Sequence, residues 1–72
     1  MKKIEFKISN KFGRTIEVSL EPEGSIIELL PEKSILVSMS ENNPVIDLQI
    51  HEESHKPILS IWPINGTYEI KD

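Results

Sequence analysis

His51-Glu52-Glu53-Ser54-His55 is the one stretch of this sequence whose residue types and spacing could support catalysis. It fits the H-E-x-x-H pattern in which two imidazoles, one helical turn apart, share a zinc ion while the glutamate acts as general base. That chemistry requires a helix. In an extended strand, residues four apart are separated by roughly 13 Å, too far for two ligands each about 2 Å from one ion. The flanking sequence reads as strand: Ile46, Leu48 and Ile50 alternate into the pattern and Pro57 closes it. There is no third histidine, and the chain beyond His55 offers only Glu69 and Asp72 as carboxylates. His51 to Pro57 is therefore expected to be an exposed polar loop joining two antiparallel strands, with no metal and no cofactor. A zinc-dependent hydrolase is the least favoured reading.

Other chemistries lack their residues. No serine sits in G-x-S-x-G, and the absence of cysteine removes thiol nucleophiles and a blue-copper centre. The three glycines are too far apart for a phosphate-cradling loop. A net charge of −4 argues against tracking a nucleic-acid backbone. Lys2, Lys3 and Lys7, interrupted by Glu5, read as the outward residues of a first strand. No run is long and apolar enough for a membrane helix, and Ile4-Glu5-Phe6-Lys7-Ile8 alternates where a secretory signal would be continuously apolar. The expectation is a cytoplasmic protein with neither a nucleic-acid nor a membrane partner.

The elements that would position these residues are strands. A chain of 72 residues holds one domain, residues 1–72, and 38% apolar content suffices for a folded core. Isoleucine dominates that content and alanine is absent, which favours a pleated sheet over a helix. Period-two alternation is nearly continuous. Ile4, Phe6 and Ile8 form a first inward row, ended by Asn10-Lys11-Phe12-Gly13. Ile16, Val18 and Leu20 form a second, ended by the turn Glu21-Pro22-Glu23-Gly24, where the proline presets φ and the glycine supplies freedom. Ser25 to Leu30 is apolar on both faces, and Pro31-Glu32-Lys33 breaks it. Ile35, Val37 and Met39 come next, followed by Glu41-Asn42-Asn43-Pro44. The row Ile46, Leu48, Ile50 and the run Ile58 to Trp62 precede an Asn65-Gly66 turn expected to take positive φ at both positions, and Tyr68 and Ile70 close the chain. About seven short strands define an all-β fold, a small antiparallel β-sandwich or barrel.

Trp62, the only tryptophan, is expected as a core anchor against Ile46, Leu48 or Tyr68, with the Tyr68 hydroxyl toward water and Glu21 and Glu23 in a solvated turn. Two apolar faces on Ser25 to Leu30 exceed what a minimal sandwich covers, so one row should stay outside. Ile26, Ile27, Leu29 and Leu30 are accordingly the candidate protein contact. The expected function is a non-catalytic protein-interaction module, or else a structural homo-oligomer that self-associates.

Asn10, the run Leu20-Glu21-Pro22-Glu23-Gly24, the strand reaching Leu30-Pro31 and the late strand bearing Trp62 together resemble a group of small bacterial all-β proteins. The likeness covers the chain from Asn10 onward. It departs from the group at Glu32-Lys33, where Pro-Gly is usual. The resemblance implies the all-β fold and carries over no activity and no site residues.

Overall fold

The computed structural model describes residues 1–71 and is all-β among them, with seven strands. They are β1 (Lys2–Ser9), β2 (Ile16–Leu20), β3 (Ser25–Leu29), β4 (Ser34–Glu41), β5 (Ile46–Glu53), β6 (Lys56–Pro63) and β7 (Tyr68–Lys71). They form two sheets, a three-stranded one ordered β1-β4-β7 and a four-stranded one ordered β3-β2-β6-β5. The architecture is an open sandwich and not a closed barrel.

One pairing departs from the antiparallel expectation. β2 lies parallel to β6, Glu17 opposite Ile58 through Leu20 opposite Ile61, while the other pairs are antiparallel. Parallel neighbours cannot be joined by a tight turn and need a long crossover. Here β3, β4 and β5 supply it, crossing to the other sheet and back. Alternation within a strand carries no information about the direction of its neighbour, so this pairing has no signature in the sequence.

The core lies where the inward rows meet. Val18, Leu29, Ile35, Val37 and Ile61 form its buried centre, with Phe6, Ile8, Ile16, Leu20, Ile27, Ile46, Tyr68 and Ile70 packed around it. Within the three-stranded sheet, Ile4, Phe6 and Ile8 stand opposite Met39, Val37 and Ile35, so one face of β1 and β4 is continuously apolar.

Asn10 fixes one end of the sandwich. It is buried, and its side-chain amide donates to the carbonyls of Arg14 and Leu29, each at 2.8 Å, while its Oδ1 accepts the Phe12 N–H at 2.8 Å. Its backbone N–H donates to Lys33 O, and its carbonyl accepts the Glu32 N–H. One residue thus ties the β1–β2 bend to the β3–β4 turn.

The turns follow their residues less closely. Leu30-Pro31-Glu32-Lys33 is closed by the Lys33 N–H on Leu30 O at 3.1 Å, and Glu32 takes φ +66°. This is a type II turn with proline at its first central position, and its second is one that glycine occupies most easily. The Glu21–Pro22 peptide is cis, and four residues, not two, reverse the chain before the Gly24 N–H donates to Leu20 O at 2.8 Å. Gly24 sits at φ +83°. In the β6–β7 connection only Gly66, at φ +72°, has positive φ. Asn65 serves differently: its Oδ1 accepts the Val45 N–H and its amide donates to Asn43 O, which joins that connection to the one before β5.

Candidate functional site

The H-E-x-x-H residues do not lie on a helix. His51, Glu52 and Glu53 belong to β5, and Ser54 and His55 are the two central residues of a hairpin turn with Glu53 opposite Lys56. Both take positive φ, +51° and +65°, the conformation of a type I′ turn. The expected loop is therefore two residues long. Ser-His is a poor sequence for such a turn, which is why the polar run read as something longer. His51 Nε2 lies 3.8 Å from Glu53 Oε2, two residues along the same exposed face. Among the described residues no three His, Cys, Asp or Glu side chains are grouped so as to hold a metal ion. Asp72 lies outside the described residues.

Trp62 corrects a second expectation. It stands opposite Asp47 and is 37% exposed, on the outer face of the four-stranded sheet. Ile46 and Leu48 stand opposite Pro63 and Ile61, on the inner face. Because Ile58 to Trp62 is apolar in both rows, alternation alone does not say which row enters the core; Ile61, fully buried, takes that place.

The candidate contact on β3 divides in the same way. Ile27 and Leu29 turn inward, Leu29 to 3% exposure, whereas Ile26 and Leu30 remain 52% and 53% exposed. Only the second pair can meet another molecule without unfolding the domain.

Ile26 and Trp62 share the outer face of the four-stranded sheet, whereas Leu30 lies at the far end of β3. Across the outer face, Ile26 neighbours Ser19 and Ser19 neighbours Ser60, both serines being buried. The serines form a low floor between Ile26 on the edge strand and Trp62. Beyond Trp62 the floor opens into a hollow of about 350 Å³ lined by Glu21, Pro22, Glu23, Trp62, Pro63, Gly66, Thr67 and Tyr68. The Tyr68 hydroxyl does not point to water but donates to Glu21 O at 2.9 Å, with Ile61 O at 3.3 Å. Burial raises the Tyr68 pKa, the nearby Glu23 and Glu21 carboxylates raise it further, and a backbone hydrogen bond at Glu21 partly opposes them. The phenol is thus protonated around neutral pH and acts as a fixed donor.

Carboxylates ring this face. Glu21 accepts a hydrogen bond from Ser19 Oγ at 2.6 Å, and Glu23 accepts one from Ser25 Oγ at 3.0 Å. Glu17 and Glu28 stand directly opposite each other across β2 and β3, and Asp47 flanks Trp62. Arg14 and Lys56 lie near the Glu17–Glu28 end, and none of these acids is in an ion pair among the described residues. The opposite outer face, on β1, β4 and β7, carries Lys3, Glu5, Lys7, Ser38, Ser40, Glu69 and Lys71, an ordinary mixed polar surface.

No family model, curated protein or solved structure matches the chain.

Proposed function

We propose that this protein is a non-catalytic binding module that docks a polypeptide segment carrying basic and apolar side chains on the outer face of its four-stranded sheet. The observation that carries this reading is the placement of Trp62. An aromatic ring left on the surface beside two prolines, with carboxylates around it and a flat floor next to it, has the composition of a recognition patch and not of a core. Tryptophan supplies large contact area at little conformational cost, and the exposed Ile26 extends the apolar strip across the sheet. Glu21, Glu23, Glu17, Glu28 and Asp47 favour a cationic partner by charge complementarity.

Trp62 is also the reporter for the test. Titration with a synthetic peptide of alternating lysine and leucine should shift its fluorescence to the blue, with an affinity that weakens as salt rises. The same peptide with glutamate in place of lysine should not bind. Trp62→Ala should abolish peptide binding, read by anisotropy of a labelled peptide, while the domain stays folded. It should lower stability by only about 1–2 kcal/mol, because solvent fills the vacated surface and no buried cavity is left. Equal binding of the acidic peptide, or a Trp62→Ala variant that still binds, would contradict the proposal.

A further inference from the structure

Natural sheets blunt their open edges by keeping them short, by placing charged side chains on them, lysine above all, or by inserting proline. Three of the edge strands here do so. β1 carries Lys2, Lys3 and Lys7, β3 has five residues, and β7 has four and ends on Lys71. β5 is the least protected of the four: it is an edge strand of eight residues, Ile46 to Glu53, with no lysine, proline or glycine, and its acids are Asp47 and the terminal pair Glu52 and Glu53. Its inward row is uncovered beyond Ile46 as well: three strands cannot cover four, and Leu48 and Ile50 are 44% and 82% exposed.

The hydrogen-bonding parity of this edge is fixed. The Ile64 N–H donates to Val45 O, extending the ladder in which Asp47, Gln49, His51 and Glu53 stand opposite Trp62, Ser60, Ile58 and Lys56. Hydrogen-bonded and non-hydrogen-bonded pairs alternate, so these odd positions turn their backbone groups toward β6. Pro57 and Pro63 fall opposite even positions, where no N–H toward β5 is needed. The N–H and C=O groups of Ile46, Leu48, Ile50 and Glu52 therefore face outward, unpaired by any strand.

We propose that two copies of this chain pair along β5, antiparallel, about a two-fold axis at Gln49. In that register the outward backbone groups of Leu48 meet those of Ile50 in the partner copy, and those of Ile46 meet Glu52, so the whole strand is used. Leu48 and Ile50 become cross-strand neighbours twice over on one face. On the other, each Asp47 carboxylate faces a His51 imidazole, again twice. A shift of two residues in either direction shortens the ladder and sets Asp47 opposite Gln49 or, worse, opposite Glu53, where like charges repel. The dimer joins both four-stranded sheets into one continuous sheet. It uses the edge of β5, and Asp47 is the one residue it shares with the peptide docking proposed above.

The test uses the full chain, the Ile50→Lys variant and three cysteine variants, which the absence of native cysteine makes simple to read. Light scattering across a dilution series should give twice the mass of one chain, and Ile50→Lys, at an exposed position, should give the single-chain mass with an unchanged far-UV spectrum. Gln49→Cys should form an intermolecular disulfide on mild oxidation, because non-hydrogen-bonded partners sit about 4.5 Å apart at Cα. Asp47→Cys alone should not, its own copy lying roughly 13 Å away along the strand, yet it should cross-link to His51→Cys when the two are mixed. A single-chain mass at millimolar concentration, a dimer that survives Ile50→Lys, or cross-linking through Asp47→Cys alone would overturn the proposal.

Discussion

Asn10 does more at residue scale than any side chain in a hydrophobic row. A buried amide that satisfies two carbonyls and one N–H, on the β1–β2 bend and on β3, leaves all three groups unpaired when it is removed. Asn10→Ala should lower stability by about 2–4 kcal/mol, the scale of several orphaned buried groups, and should be measured by chemical denaturation. A loss below about 1 kcal/mol would mean that water replaces these bonds freely. The sequence marked Asn10 only as a turn residue and as part of a resemblance, because a propensity for turns does not reveal that a side chain is buried. Trp62 shows the same limit. Its strand membership followed from alternation, but its face depended on which of two apolar rows packed better, a question settled by the opposing sheet. Tyr68 lies in the only apolar row of β7, and alternation does not reveal that its hydroxyl meets Glu21 O and not water.

At the scale of elements, the alternation placed all seven strands within a few residues of where they lie, since a half-buried pleat imposes period two directly. It failed where the backbone departs from regular pairing. Ser54-His55 takes a left-handed turn without the Asn-Gly that usually marks one, and Glu32 occupies a glycine-like position. Non-glycine residues at positive φ cost roughly 1 kcal/mol each. Replacing Ser54-His55 with Asn-Gly should therefore raise stability by about 1 kcal/mol or more and lift the thermal midpoint by several degrees. A lower midpoint would show that the His55 side chain contributes contacts that outweigh the backbone strain. The same replacement removes one histidine of the H-E-x-x-H pattern, and fold and hairpin should both persist without it.

The whole molecule is a sandwich of unequal sheets, and the inequality accounts for its exposed apolar surface. The row Ile46, Leu48, Ile50 was expected inside; only Ile46 reaches the core, because the three-stranded sheet ends before the far half of β5. The candidate contact on β3 was legible to the extent that two apolar rows cannot both be buried in a small sandwich, and Ile26 and Leu30 prove to be the outer row. The proposed recognition patch was not legible. Its β2–β3 turn lies far along the chain from its β6–β7 corner, and the two meet through the parallel pairing of β2 with β6 and the Tyr68 hydrogen bond to Glu21 O.

The most direct measurement of the proposed docking face is amide chemical-shift mapping of the labelled protein during titration with the lysine-leucine peptide. Shifts should concentrate on Ser19, Glu21, Ile26, Ser60, Trp62 and Tyr68 and spare Lys3, Glu5, Lys7 and Glu69 on the opposite outer face. Shifts centred on the outer face of the three-stranded sheet, or none at millimolar peptide, would contradict the assignment of this surface to polypeptide binding.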